Sequence, residues 1–275
     1  MSKTVFVTLC DYLYYPRALR TIRDLRTAGK WTGDIVLVAV DFDNENEKYL
    51  QSLSDYNVII YNIKQLSTDT LTTIWKKFPI KPMADQRHTK KLAQFSKLHV
   101  FDDFFRQWNC VVFVDAGLRA LDNVKYILSL DWKGKFIAPD DSTPYDNGNR
   151  FGTQIDLEAN PDVLYKIFKE FGKDIIYSKY FMNCIWMYDT ALLDVCNSSQ
   201  LIKGINEYPI CLTNEMALMN LFFNLKYHLW SVMPERIDHK YLYGWCEMNY
   251  KERPTYHQFC FLKYPVTIDI NTDPC

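Results

Sequence analysis

A chain of 275 residues with 48% hydrophobic and 16% aromatic side chains has ample apolar material for a folded core. Its 32 basic and 33 acidic residues leave a formal charge of −1, which argues against electrostatic capture of nucleic acid or an anionic membrane. No stretch reaches the roughly 18 apolar residues of a spanning helix, so membrane insertion is not expected. The amino terminus, MSKTVFVTLCDYLYYP, lacks the basic segment, apolar run and small-residue cleavage site of a secretory leader. Eight cysteines are scattered without a C-x-x-C pair, and several (Cys10, Cys110, Cys184, Cys260) lie inside apolar runs. Buried free thiols in a reducing, cytoplasmic compartment are the expectation.

Residues 5–9 read as a first strand, and residues 15–28 carry Leu19, Ile22 and Leu25 at helical spacing before Gly29. Residues 35–40 form a continuous apolar run, the pattern of a buried parallel strand. A helix over 44–53 and a third strand over 58–63 complete a βαβαβ start. Residues 64–89, with Phe78-Pro79-Ile80-Lys81-Pro82, read as a loop or lid. A helix over 97–105 then leads into a short β-branched strand, 110–114, followed by a helix over 122–130. A strand over 136–139 runs into Asp140-Asp141, and residues 145–152 read as a polar loop. Further expected elements are a helix over 161–171, a strand over 180–188 and a helix over 213–224 capped by Thr213. The last fifth is poorly periodic, and no linker or repeat divides residues 1–275, so one domain is expected.

Asp115 closes the 110–114 run and is followed by Ala116 and Gly117. A carboxylate at the carboxyl end of a buried strand stands at the rim where α/β sheets bind ligands. A core strand followed by an Asp-Gly type turn gives the same letters. Taken alone, Asp11 reads as a turn residue or helix cap, Lys97 as part of a solvated helix face, and His257 as a structural histidine. His88, His99, His228 and His239 have no functional context and read as structural.

Five blocks, in order, resemble the glycogenin-like, GT-A-fold glycosyltransferases. These are FSKLHVF leading into VVFVDAG, then Asp140-Asp141, YFMNCIWMY, NEMALMNLFF and HQFCFLK. The resemblance implies an α/β fold with a mostly parallel twisted sheet flanked by helices. It implies transfer of a hexosyl group, with retention, from a nucleotide sugar (UDP-linked) to a hydroxyl of a glycan, protein or lipid. For the nucleotide it points to Leu9, Asp11 and Tyr15 near the base, and to Lys97, Asp115, Ala116, Gly117 and Lys263 near ribose and diphosphate. Asp115, Lys263, Asn183 and Glu215 become the catalytic candidates. Asp115 and His257 become candidate ligands of Mn²⁺ or Mg²⁺. The family's D-x-D motif is reduced here to Asp-Ala-Gly, and Gly117 offers no ligand. Neutralisation of the leaving group by Lys97, Arg119 and Lys263 is therefore an open alternative. A homodimer is compatible with these features. A rival reading is a non-catalytic nucleotide-sugar-binding protein with a degenerate metal site, favoured by Gly117, Cys184, Ile185 and Asn214 and opposed by His257 and Lys263. A nucleotidyltransferase is disfavoured, since no G-x-G-x-x-G loop follows the first strand.

Overall fold

The computed structural model describes residues 3–42, 49, 51–81, 91–141, 150–245 and 258–264. In chain order the elements are β1 (Thr4–Cys10), α1 (Tyr15–Arg26), β2 (Asp34–Val40), β3 (Val58–Ile63), α2 (Asp69–Lys77), β4 (Cys110–Val114) and β5 (Leu118–Ala120). They continue with α3 (Lys125–Leu128), β6 (Phe136–Ala138), α4 (Pro161–Phe171), β7 (Ile185–Asp189), α5 (Ser198–Glu207) and α6 (Glu215–Met219). The last are β8 (Trp230–Val232), β9 (Arg236–Ile237), β10 (Lys240–Trp245) and β11 (Phe259–Lys263).

The central sheet has the order β3-β2-β1-β4-β7-β6-β8. Only β7 opposes the others, pairing antiparallel with both β4 and β6. The mixed, mostly parallel α/β class expected from the sequence is the one found. Its central strands are apolar throughout yet still obey the two-residue alternation of a strand. Val5, Val7, Val111 and Phe113 face a core closed by Leu71 of α2, Ile167 of α4, Leu201 and Ile205 of α5 and Ala217 of α6. Phe6, Val112 and Val114 face a second core closed by Ala18, Ile22 and Leu25 of α1. Both faces are covered, which explains the unbroken hydrophobic runs. A smaller sheet, β5-β11-β10-β9, packs Leu118, Ala120, Leu242 and Phe261 into the second core. The six cysteines among the described residues are all free and buried, as expected. No helix among them is long and apolar enough to cross a membrane.

Several elements differ from expectation. Residues 97–105 are not an α-helix but two 3₁₀ segments, Leu92–Phe101 and Asp103–Gln107, broken where Asp102 takes an extended conformation (φ −74°, ψ 156°). Asp102 accepts hydrogen bonds from Tyr61 Oη (2.7 Å), and its carboxylate meets His99 Nδ1 at 2.8 Å, so tertiary bonds take the place of helical ones. Residues 64–89 contain the unforeseen helix α2, whose Trp75 donates to the Pro209 carbonyl at 2.6 Å. The 122–130 helix is only the four residues of α3. Thr213 does not cap a helix; its hydroxyl donates to Gln154 Oε1 at 2.8 Å, and α6 starts after Asn214 at φ 51°. α6 then widens into a π-helical stretch, Asn220–Lys226. The helix expected over 44–53 lies largely outside the described residues, and the 145–152 loop is described only from residue 150.

Asn220 joins this stretch to the sheet. Fully buried, it accepts from Phe181 N at 2.9 Å and donates to the carbonyls of Phe181 and Met216, each at 3.0 Å. Replacing it with Ala orphans both polar backbone groups of Phe181, at about 1–3 kcal/mol each. Asn220→Ala is therefore expected to lose about 2–5 kcal/mol in denaturant unfolding; a loss under about 1 kcal/mol would show that the bridge carries no weight.

Candidate active site

In the order β3-β2-β1-β4 the chain leaves β1 toward β2 on one side while β4 lies on the other. This is a switch point, and the crevice it opens lies beyond the carboxyl ends of β1 and β4. Val7 pairs with Phe113, so Leu9 and Asp115, each two residues further on, reach the same level of the sheet. Because β7 runs the opposite way, its amino end delivers Asn183 and Cys184 to that rim, and Asp115 N donates to Cys184 O at 2.8 Å.

Asp115 then starts a tight turn, with Leu118 N donating back to its carbonyl at 2.9 Å. The turn feeds β5, which pairs antiparallel with β11 and sets Lys263 opposite Leu118. Lys263 Nζ lies 2.5 Å from Asp115 Oδ2, and Lys97 Nζ lies 3.2 Å from Asp115 Oδ1. Lys97 also meets Glu215 Oε1 at 3.3 Å, and Asn183 Nδ2 donates to that same oxygen at 2.7 Å. Five segments of the chain thus converge in one connected series, Lys263–Asp115–Lys97–Glu215–Asn183. The other carboxylate oxygen of Glu215, Oε2, is buried without a hydrogen-bond partner.

Lys97, expected on a solvated face, is buried with its side chain 7% exposed. Burial opposes its charge, but Asp115 and Glu215 outweigh burial and raise its pKa above the ordinary lysine value. Burial likewise works against the Asp115 carboxylate, and Lys263 and Lys97 more than reverse that, holding it below its usual value. Burial pushes the Cys184 thiol up to about 11, so it stays protonated at neutral pH.

Gly117 has φ +99°, a region that side-chain-bearing residues rarely adopt. A Cβ there would lie 3.0 Å from Nε of Arg17. Arg17, on α1, donates to the Tyr264 carbonyl at 3.0 Å, and Tyr264 N donates to Gly117 O at 3.0 Å. One turn along α1, Thr21 Oγ1 accepts from Gly117 N (3.3 Å) and donates to Leu118 O (2.8 Å). The sequence reading missed both residues. Their available signal was a polar pair four positions apart on one face of the helix.

The other candidates fall into place around this cluster. Ala116 is buried beside Asp115, and Leu9 is half-buried at the end of β1. Asp11 accepts from Tyr14 N at 2.9 Å, a turn-residue role. Tyr15 is buried, not presented at the rim: its hydroxyl is engaged by Ser52 and the Tyr49 carbonyl. Arg119 is removed from the cluster altogether, buried in an ion pair with Asp24. Asp140 is buried and paired with Lys179 at 2.8 Å, bridging to Phe181. His257 lies outside the described residues.

The described residues of this cluster do not fit a divalent cation. Each oxygen of Asp115 faces an ammonium, and the position two residues on carries no side chain and abuts a guanidinium. Among the described residues, no three His, Cys, Asp or Glu side chains converge as a ligand set.

No family model matches the chain, and no curated protein matches it in sequence. Solved structures do resemble it. Galactosyltransferase LgtC, captured with donor and acceptor sugar analogues, superposes with a TM-score of 0.59 at 10% identity over 94% of this chain and 86% of its own. The bifunctional glycosyltransferase WbbM gives 0.60 at 13% identity, over 96% of this chain and 46% of its own. Core-mannan synthase A of Aspergillus fumigatus, in an Mn/GDP form, gives 0.50 at 9% identity, over 84% and 73% respectively. The chain has the GT-A glycosyltransferase fold.

Two predictions follow from the cluster. For wild type, the raised Lys97 pKa contributes stability that is full below about pH 10.4 and lost as pH rises above it. The lowered Asp115 pKa contributes stability that is full above about pH 3.9 and lost as pH falls below it. The cluster's contribution should therefore be flat between about pH 5 and 9. Lys97→Met leaves Glu215, 2% exposed, facing Asp115 with no cation between them, and should cost about 3–5 kcal/mol. A loss under about 1 kcal/mol in urea unfolding would show that the carboxylates do not depend on Lys97. Gly117→Asp, which restores the D-x-D letters, should lose about 1–3 kcal/mol through backbone strain alone, read as a lower midpoint in urea; unchanged stability would contradict the strain.

Proposed function

We propose that this protein is a glycosyltransferase moving a hexosyl group from a nucleotide sugar, UDP-linked, to a hydroxyl on a glycan, protein or lipid acceptor. The observation that carries this reading is the Lys263–Asp115–Lys97–Glu215–Asn183 chain at the switch point of a GT-A sheet. Such a sheet leaves room above this rim for a nucleotide, with the turn after β1 near the base and β4 near the diphosphate. LgtC, of the same fold, has been captured with donor and acceptor sugar analogues.

In this reading the bond from the anomeric carbon to the diphosphate oxygen breaks, and its electron pair leaves with the diphosphate. Lys263 and Lys97 stabilise the charge that develops there. One ammonium about 4 Å from that charge is worth roughly 4 kcal/mol at an effective dielectric near 20. Glu215 Oε2, a buried acceptor without a partner, and Asn183 fix hydroxyls of the transferred sugar. The acceptor oxygen then bonds to the anomeric carbon and its hydroxyl proton passes to the departing diphosphate, with retention as the outcome suggested by the glycogenin-like sequence blocks. The non-catalytic reading is less well supported, because a buried network of charges is costly to keep once its ligand is lost.

The test is a panel of UDP- and GDP-sugars scored for release of free nucleotide. One UDP-hexose is expected to be turned over, and Glu215→Gln should slow that turnover by about 10²–10³, the range for losing one preorganised electrostatic contact. A folded protein that releases nucleotide from no donor, with or without simple sugar acceptors, would count against the transferase reading.

A further inference from the structure

We infer that the donor diphosphate is held here by side-chain cations in place of a divalent metal, with the Asp115 carboxylate acting as an internal competitor that the diphosphate displaces. This rests on the transferase reading above and concerns how that same site recognises its donor.

Three observations lead to it. First, a metal that binds diphosphate needs oxygen ligands with their lone pairs directed at it. Asp115 is the one carboxylate on the β4 turn, and both its oxygens are occupied by ammonium groups, Lys97 on one and Lys263 on the other. A divalent ion at either oxygen would be pushed against a like charge in a partly dehydrated site, since Asp115 is only 23% exposed.

Second, the second ligand position of the motif is closed for backbone and steric reasons. Gly117 holds φ +99°, and the volume a side chain would need is taken by the Arg17 guanidinium. The exchange of a carboxylate for a glycine backed by arginine reverses the local charge. Arg17 is tied to the carbonyl of Tyr264, the residue after Lys263, so its guanidinium is anchored at the end of β11.

Third, the two lysines differ in freedom in the way an exchange needs. Lys97 is enclosed and shared between Asp115 and Glu215. Lys263, with its side chain 15% exposed, touches a single carboxylate oxygen at the edge of β11. Lys263 can turn from Asp115 to a phosphate oxygen, while Lys97 stays in place and keeps both carboxylates compensated. Asp115 then serves as a positioning residue for two ammonium groups, and not as a metal ligand.

This gives a test whose sign differs between the two mechanisms. Binding of UDP and of GDP is measured by calorimetry in excess EDTA and again with saturating Mn²⁺, for wild type, Asp115→Asn and Lys263→Met. Circular dichroism checks that each variant is folded. If side-chain cations hold the diphosphate, the preferred nucleotide binds equally, within about twofold, in EDTA and in Mn²⁺. Lys263→Met should weaken binding by about ten- to a hundredfold, the loss of one charged hydrogen bond. Asp115→Asn should tighten binding in EDTA by about three- to tenfold, because a neutral amide competes less for Lys263. A metal site predicts the reverse for Asp115→Asn, together with loss of wild-type binding in EDTA. Binding that requires Mn²⁺ would overturn the inference and leave the transferase reading standing. Binding of neither nucleotide under either condition would overturn both. If Asp115→Asn does not fold, the wild-type EDTA comparison and Lys263→Met still decide the matter.

Discussion

The buried ammonium of Lys97 is the constraint on which the rest of the site depends. A lone charge at 7% exposure is costly enough that its surroundings must be built to accept it. Two carboxylates from different parts of the chain do so, one on the turn after β4 and one on the first residue of α6. Each in turn meets another group: Asp115 meets Lys263, and one oxygen of Glu215 meets Asn183. The positions of the β4 turn, α6, the amino end of β7 and β11 are thereby coupled through one cation. Hydrophobic burial brings these elements into the same neighbourhood, but it is not directional. The ion pairs and hydrogen bonds select the register at which they meet.

The sheet topology supplies the place for this arrangement. β1 and β4 end side by side at the switch point, where the strand order reverses. The reversed strand β7 adds backbone and side-chain groups to the same rim, which an all-parallel neighbour could have done only from its far end. On the other side of Asp115, the small sheet brings a residue from near the end of the chain across 148 positions. The arrangement therefore depends on non-local pairing far more than on any local motif.

That dependence explains what could be read from the sequence and what could not. β1, β2 and β4 were legible because their apolar runs are buried on both faces, and Asp115 was legible because it ends one of them. Lys97, Asn183, Glu215 and Lys263 were singled out through blocks resembling a known family, in an order that the fold brings to one place. Their local patterns alone said otherwise: Lys97 looked like a solvated helical residue, since nothing nearby in sequence reveals two acids 18 and 118 positions away. Residues 97–105 have helical periodicity, yet Asp102 finds partners in Tyr61 and His99 and the helix breaks into 3₁₀ turns. Thr213 has the composition of a cap, but a buried glutamine competes for its hydroxyl. Tyr15 looked available for a base until Ser52 and Tyr49 engaged it. Each difference is a case of tertiary partners overriding a local preference.

The seat of Lys263 on β11 also bears on the order in which the protein is made. β1 through β4 can pair with one another once β4 has left the ribosome, since β1 pairs with β2 and β4, and β2 with β3. The strand that completes the ion cluster comes out after the other described strands and pairs with β10 and with β5, which was made some 140 residues earlier. Until it docks, Asp115 faces Lys97 alone, and the rim lacks its more mobile cation. A ribosome-bound chain can thus reach most of its hydrophobic core before the Lys263–Asp115 pair exists. Completion of the ion cluster becomes a late event in biogenesis, separate in time from collapse of the sheet.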